Sequence, residues 1–325
     1  MNALAIAQAA KAFWPRISGP PQLIMHRENA VFRVETTQGP AALRIHRVGY
    51  RHKLEIASEL DWMAYLAAHG LELPSPMANH EGRLLSEIAD EQGNLRVVDL
   101  LSWVEGAPLG HSNVPLSFGK SELRAIFSDV GKNLARLHVL SDAWSKPAGF
   151  QRHHLNHDGF LGEHAAWGKF WEASVLLPQE KQLMQNVRVR AGEEIQILVE
   201  SGADYGLIHA DLVRENIFVL DGKTRFIDFD DAGFGFRMFD LAVALVKNRK
   251  EPHYETIKSA LFAGYASQRA IKTVDEKALN LFMALRDFAY LGWADARREE
   301  PSMAPRMQQI KQDTLMAAEA FLKQK

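Results

Sequence analysis

The chain has 325 residues, a formal net charge of -2 and no cysteine. This length is too great for one small core and suits two lobes, and the small net charge argues against nucleic acid or an anionic membrane as a partner. The lack of cysteine excludes disulfides, thiolate catalysis and cysteine-based zinc sites, and it fits a reducing compartment. No apolar run is long enough to span a bilayer and no basic leader precedes the first apolar residues, so we expect a cytoplasmic protein without a signal peptide.

The first hundred residues predict a small β-rich region. Residues 30–35 alternate apolar and polar side chains, as a half-buried strand does. Helical spacing follows at residues 54–69, and Gly70 is expected to end that helix. The predicted strands are residues 30–35, 41–46, 83–88 and 94–103.

From about residue 106 the pattern becomes mostly helical. Residues 121–140 predict a long amphipathic helix, with Ser121 as its N-cap. Helical patterns resume at residues 165–200 and run from Phe239 to the end. The chain is therefore expected to have an α+β fold with two lobes, a β-rich one at 1–105 and a mainly helical one at 106–325. Such layouts place ligand sites in the cleft between lobes.

A hairpin is predicted at residues 208–231, which read I-H-A-D-L-V-R-E-N-I-F-V-L-D-G-K-T-R-F-I-D-F-D-D. The short apolar runs at 217–220 and 226–229 are strand-like. The Asp221-Gly222 pair between them is a strong signal for a two-residue turn.

Three polar residues surround this hairpin. Asp211 and Asn216 lie on the loop that enters the first strand, and Asp228 lies at the end of the second. A hairpin brings those two ends together, so we expect all three side chains at one mouth. Phosphoryl transfer needs such a set: one group that receives a hydroxyl proton and two oxygen ligands for magnesium.

Two motifs resemble those of kinases. The run H-A-D-L-V-R-E-N at 209–216 resembles the H-x-D-x-x-x-x-N catalytic loop, and F-I-D-F-D-D-A-G-F-G resembles the metal-binding segment that follows it. The I-D-F-D-D-A run and the later D-L-A at 240–242 are most similar to the aminoglycoside phosphotransferase and choline kinase family. E-N-A-V-F-R-V at 28–34 and A-L-R-I-H-R at 42–47 resemble bacterial type II homoserine kinases and stress-response kinases. The resemblance covers about residues 20–300 and implies a bilobal protein-kinase-like fold.

The resemblance implies a role for each matching residue. Asp211 matches the catalytic aspartate, which accepts the acceptor's hydroxyl proton or orients that hydroxyl. Asn216 and Asp228 match the two magnesium ligands, with the phosphates of ATP completing the shell. Arg44 matches the strand lysine that anchors the phosphates, and Glu59 matches the helix glutamate that pairs with that cation. The lobe at 1–105 is therefore expected to bind the nucleotide, and the lobe at 106–325 to carry catalysis and the substrate.

The chain departs from the kinase pattern in two places. Arg44 replaces a lysine, so that it either serves as the anchor or marks altered nucleotide binding. No glycine-rich loop occurs, and the matching turn runs from Met25 to Asn29, whose backbone N–H groups are expected to meet the phosphates. His209 and Asp240 match residues that hold the catalytic loop, and we interpret both as structural.

The predicted function is ATP- and magnesium-dependent transfer of the γ-phosphate to an alcohol group of a small molecule. A homoserine-like amino alcohol or amino acid is the favoured acceptor. Two alternatives stay open: a protein Ser/Thr kinase of the stress-response type, which has a protein substrate, and a nucleotide-binding pseudokinase or regulatory module. Arg286, Tyr290 and Trp293 lie at helical spacing and either line a substrate pocket or belong to the core, and the spacing favours the core.

Overall fold

The computed structural model describes residues 3–26, 29–112 and 114–324. The chain divides into two compact units. The first comprises Met1–Ala107, Ala143–Arg152 and Phe218–Asp230, and the second comprises Pro108–Asp142, His153–Ile217 and Asp231–Lys325. Each compact unit is assembled from separated stretches of the chain, so the units do not correspond to a single cut between residues 105 and 106. The domain boundary predicted there from the sequence stays a prediction.

Strands dominate the first third of the chain and helices the rest. The earlier elements are α1 (Ala3–Ala9), β1 (Ile17–His26), β2 (Ala30–Thr36), β3 (Gly39–Ile45), α2 (Lys53–Ala68), β4 (Leu85–Ala89), β5 (Leu95–Ser102), β6 (Ala107–Pro108), α3 (Lys120–Ala143), β7 (His154–Leu155) and α4 (His157–Leu161). The later elements are α5 (Pro178–Glu200), β8 (Tyr205–Ile208), β9 (Ile217–Leu220), β10 (Lys223–Phe226), β11 (Gly233–Phe236), α6 (Arg237–Val246), α7 (Tyr254–Ala266), α8 (Thr273–Lys277), α9 (Leu279–Asp295) and α10 (Met307–Lys323).

The first unit is built on a five-stranded antiparallel sheet in the order β1-β2-β3-β5-β4. Alternate residues of β2, including Phe32 and Val34, are buried in its core, which explains the period-two pattern at residues 30–35. Leu43 of β3 and Val98 of β5 belong to the same core. The four predicted strands are confirmed, although β4 begins at Leu85, two residues later than expected. The predicted helix is also confirmed as α2, and Gly70 follows it with a φ of 76°.

The hairpin β9–β10 was predicted correctly in its turn and incorrectly in its second strand. Asp221 and Gly222 join the strands with φ values of 51° and 73°, the left-handed pair that a type I′ turn requires. A two-residue turn starts the return strand at once, so β10 occupies Lys223–Phe226 instead of 226–229. Asp228 lies beyond the strand with a φ of 65°, a conformation that a strand cannot contain.

The second unit is mainly helical, as predicted. Its longest helix, α3, begins at Lys120, so Ser121 lies inside the first turn and the N-cap prediction is wrong. The backbone N–H of Gly119 instead donates to the Glu122 carboxylate at 2.8 Å, which satisfies one of the helix's free amide groups. Helices α6 and α9 pack through aromatic side chains, with the rings of Phe239 and Phe282 6.1 Å apart. Among the described residues, no helix has the length and apolar character needed to cross a bilayer.

Helices α3 and α7 approach each other backbone to backbone at Gly131. A Cβ atom at this position would lie 2.1 Å from the carbonyl oxygen of Leu261. We expect Gly131→Ala to lower the free energy of unfolding by about 2–3 kcal/mol, because the overlap outweighs the better helix propensity of alanine. Urea unfolding measures this. Gly119→Ala is the matched control, since its nearest neighbour is the flexible Glu122 side chain at 3.3 Å, and an equal effect in both variants would contradict the prediction.

Candidate active site

Asp240 fixes the loop that carries the predicted catalytic residue. Its buried carboxylate, on α6, accepts hydrogen bonds from the backbone N–H groups of His209 at 2.8 Å and Ala210 at 2.6 Å. Burial raises the pKa of Asp240 to about 6, and these two donors oppose the shift. Ala210 has a φ of 68°, so the carboxylate holds a backbone conformation that alanine rarely adopts. His209 and Asp240 thus have the loop-holding contacts that the resemblance implied.

A neutral histidine supports Asp240 from behind. His138 Nε2 lies 3.0 Å from the Asp240 carboxylate, and its Nδ1 lies 2.8 Å from the hydroxyl of Tyr265. Burial lowers the pKa of His138 well below its usual value, and the charges of Arg237 and Arg269 lower it further. The neutral ring therefore donates to Asp240 from Nε2 and accepts from Tyr265 at Nδ1.

Asp211 and Asn216 lie together on this loop. The side-chain nitrogen of Asn216 donates to the backbone carbonyl of Asp211 at 2.8 Å and to its carboxylate oxygen Oδ2 at 3.1 Å. A single 3-10 turn, Arg214–Asn216, sets this geometry. Because the Asn216 nitrogen is turned to Asp211, its side-chain oxygen faces away from that carboxylate and can serve as a ligand for a hard cation.

Arg286 on α9 is the second partner of Asp211. Its Nη2 donates to the other carboxylate oxygen, Oδ1, at 2.6 Å, although the two residues are 75 positions apart. Asp211 keeps 22% of its side chain exposed. Burial raises the pKa of Asp211 to about 7, Arg286 opposes this, and the like charges of Asp231 and Glu215 add to it.

The core interpretation of Arg286, Tyr290 and Trp293 is wrong. All three side chains are only half-buried. The rings of Tyr290 and Trp293 stack with centroids 5.5 Å apart, and the Arg286 guanidinium lies 5.9 Å from the ring of Trp167. This face of α9 therefore presents aromatic and cationic groups beside Asp211.

In the first unit, Arg44 is held by two carboxylates. It faces Asp99 directly across β3 and β5, and its Nε and Nη2 each donate to that carboxylate at 2.9 Å. Its Nη1 donates to Glu59 on α2, also at 2.9 Å, so the predicted ion pair is present. His46 Nε2 lies 2.6 Å from Asp99 as well. The Arg44 side chain is 7% exposed, and Asp99 and Glu59 already use three of its five N–H groups.

Arg152 links Glu59 to the segment that follows Asp228. Its Nη1 lies 3.5 Å from Glu59 Oε2, and its Nη2 donates to the backbone carbonyls of Phe229 at 3.3 Å and Asp230 at 2.7 Å. Glu59 thus bridges two buried arginines, Arg44 and Arg152. Asp228 lies in this first unit and has a left-handed backbone, which is typical of residues that a functional site holds in place.

The predicted phosphate-binding turn is only partly described. Residues 27 and 28 lie outside the described part of the chain. Asn29 follows them, and its side-chain oxygen accepts a hydrogen bond from the backbone N–H of Arg47 at 3.3 Å. This bond ties the turn to the end of β3, and the role of Asn29 toward a nucleotide stays a prediction.

Asn216 and Asp228, the residues proposed as metal ligands, suit a hard cation whose coordination shell also contains phosphate oxygens or water. The described residues contain no group of three or more His, Cys, Asp or Glu side chains that could enclose an ion. Asn216 and Asp228 offer one amide and one carboxylate side chain. Mg²⁺ in nucleotide sites is commonly held by one or two such protein groups, together with phosphate oxygens and water. Each of these two side chains is therefore, by itself, a donor of the type that magnesium accepts.

Sequence reasoning missed several partners of the predicted residues, namely Asp99, Arg152 and the contact between Arg286 and Asp211. The sequence analysis did single out Arg286, Tyr290 and Trp293, but it favoured the core for them. No local pattern connects residues 44 and 99 or 211 and 286, because these contacts depend on how distant segments pack.

The sequence of the chain is similar to those of known proteins. A sequence model of the phosphotransferase enzyme family matches residues 22–273. Homoserine kinase of Agrobacterium fabrum (strain C58 / ATCC 33970) is 30% identical over 271 residues, which are 80% of this chain and 76% of that protein.

Solved structures show the same fold. A microcompartment-associated aminopropanol kinase superposes with a TM-score of 0.80 and 27% identity, covering 98% of this chain and 97% of its own. An amicoumacin kinase in complex with AMP-PNP, Ca²⁺ and Ami superposes with a TM-score of 0.76 and 17% identity, covering 97% and 93%. The predicted α+β, protein-kinase-like fold is confirmed.

Proposed function

Because the chain belongs to the phosphotransferase enzyme family and is an ATP-dependent kinase, we propose that it transfers the γ-phosphate of ATP to the hydroxyl of a small, homoserine-like amino acid or amino alcohol. The observation that carries the proposal is the paired geometry of Asp211 and Asn216. They are five residues apart on a loop that Asp240 holds at two backbone N–H groups. The similarity to a homoserine kinase and an aminopropanol kinase supports an acceptor of this size.

In this mechanism Asp211 receives or orients the acceptor hydroxyl. Arg286 holds one of its carboxylate oxygens and Asn216 the other, so the carboxylate is fixed before the acceptor arrives. Fixed groups of this kind lower the barrier mainly by positioning. Asn216 and Asp228 would hold magnesium, which supplies charge neutralisation at the β- and γ-phosphates when bound with ATP.

For the nucleotide, we propose that the first unit provides the phosphate contacts. The backbone around Asn29 is one candidate, and Arg44, with Glu59, is the other. Since Arg44 already serves Asp99 and Glu59, we propose that it shares its remaining N–H groups with a phosphate without leaving either carboxylate.

The lack of cysteine and of a membrane-spanning helix among the described residues supports the cytoplasm as the place of action.

The test measures ADP release with Mg-ATP over a panel of acceptors: homoserine, amino alcohols, choline, sugars and aminoglycosides. We expect homoserine or a short amino alcohol to stimulate ADP release, and the stimulation to require Mg²⁺ and Asp211. Phosphorylation of a protein Ser or Thr with no response to any small acceptor would favour the protein-kinase alternative. Binding of Mg-ATP without turnover of any acceptor would favour the pseudokinase alternative.

A further inference from the structure

Two cationic side chains lie on the α9 face beside Asp211. Arg286 contacts Asp211, and its buried Nε donates to no acceptor within the described part of the chain. Lys247, just after α6, places its ammonium 4.7 Å from the centroid of the Tyr290 ring. Tyr290 lies four residues after Arg286, about 6 Å further along the helix. Lys247 thus lies against the same stretch of α9 that carries Arg286.

Lys247 differs from Arg286 and Arg249 in its partners. Arg286 is paired with Asp211, and Arg249 with Asp287 at 2.8 Å. The Lys247 ammonium makes no ion pair with a carboxylate of the described residues, and its recorded contact is the Tyr290 ring.

The surroundings of Lys247 disfavour its charge. Burial lowers the pKa of the Lys247 ammonium, the charges of Arg286 and Arg249 lower it further, and Asp287 and Asp313 partly offset this from a distance. A partly desolvated ammonium over an aromatic face gains only part of the free energy that an anionic partner would supply. The site is therefore electrostatically suited to an anion close to Asp211.

We infer that Lys247 binds a carboxylate of the phosphate acceptor while the acceptor's hydroxyl faces Asp211. The inference rests on the proposed function and narrows it. The acceptor is a short hydroxy amino acid, and the corresponding amino alcohol without a carboxylate is a poor substrate. Lys247 is then a specificity residue that contacts substrate away from the reacting atoms.

The test compares homoserine with 3-amino-1-propanol, which is homoserine without its carboxylate. We expect the wild-type kcat/KM for homoserine to be about 10- to 100-fold higher, the range that a hydrogen bond to a charged group supplies. Lys247→Met keeps the side-chain stem and removes the charge. It is expected to erase the preference by raising KM for homoserine, with kcat/KM for 3-amino-1-propanol unchanged. Lys247→Arg is expected to keep the preference.

The control variant is Lys132→Met, at an exposed position of α3, which should leave both acceptors unchanged. Equal wild-type kcat/KM values for the two acceptors, or a preference for the amino alcohol, would overturn the inference, and this comparison requires no variant to fold. The inference would also be overturned if Lys247→Met lowered kcat/KM equally for both acceptors while its melting temperature and its affinity for Mg-ATP stayed at wild-type values. Failure of the proposed function gives a different result. In that case the wild type binds Mg-ATP but phosphorylates no small alcohol, and the inference about Lys247 is then also wrong.

Discussion

Replacing Asp211 by asparagine is expected to reduce kcat by about 10²- to 10⁴-fold, the contribution typical of a positioned group that handles a proton. Asparagine has nearly the same shape, so it can keep the contacts to Asn216 and the loop. It lacks the negative charge that accepts a hydroxyl proton and that pairs with Arg286 at 2.6 Å. Affinity for Mg-ATP should remain within a few-fold of the wild type, because Asp211 is proposed to act on the acceptor. Steady-state ADP release and nucleotide titration measure the two quantities.

The matched control for this variant is Asp221→Asn. Asp221 is an exposed aspartate in the β9–β10 turn with a φ of 51°, a conformation that asparagine accepts readily. It should retain wild-type turnover. If Asp211→Asn kept kcat within tenfold of the wild type, Asp211 would not be the group that handles the acceptor's proton. If it lost Mg-ATP binding and turnover together, the carboxylate would serve the nucleotide instead.

The second large effect is expected on stability, in Asp99→Asn. Asp99 is fully buried and neutralises Arg44 through two hydrogen bonds of 2.9 Å. When the charge of Asp99 is removed, Glu59 provides the remaining carboxylate that contacts Arg44. Arg152 also contacts Glu59, so the two arginines share this carboxylate. Breaking one partner of a buried ion pair typically costs about 3–5 kcal/mol, and we expect the free energy of unfolding to fall by this amount. Urea unfolding at pH 7 measures it.

The pH dependence of this loss has a defined sign. Burial alone would raise the pKa of Asp99, but the charges of Arg44 and His46 outweigh burial and lower it below 3.8. A carboxylate whose folded-state pKa is lowered stabilises the protein above its unfolded pKa and loses this effect as the pH falls through the folded value. The stability that Asp99→Asn loses with this charge should therefore be fully missing at pH 7, and the difference from wild type that Asp99 causes should shrink as the pH falls below 3.8.

Asp61→Asn, on the exposed side of α2, provides the control for Asp99→Asn and should change stability by less than about 0.5 kcal/mol. A double variant that replaces Arg44 and Asp99 with apolar residues should lose less stability than Asp99→Asn, because both charges of the pair are removed together and Glu59 keeps Arg152 as its cationic partner. A loss in the double variant as large as that in Asp99→Asn would contradict this account.

Much of the local structure could be predicted because it depends on neighbours in the chain. Alternating side chains marked β2, and Asp221-Gly222 marked the hairpin, since few residue pairs accept two left-handed φ values in succession. The spacing of Asp211 and Asn216 predicted that they act together, and the structure places them in contact. Local patterns were less reliable at element ends. Ser121 fell inside α3, and the left-handed backbone of Asp228 lies outside β10.

The side chains that pair with Arg44 and Asp211 could not be predicted, because they come from distant parts of the chain. Arg44 is suited to a phosphate as a residue type, yet sheet pairing sets it against Asp99 and leaves it with two carboxylates. Asp211 is recognisable from its motif, but the packing of α9 brings Arg286 to it from 75 residues away. The residue types and spacings of the chain thus specified the reaction. The packing of α6 and α9 placed Lys247 over an aromatic ring beside that site, where the choice of acceptor is expected to be made.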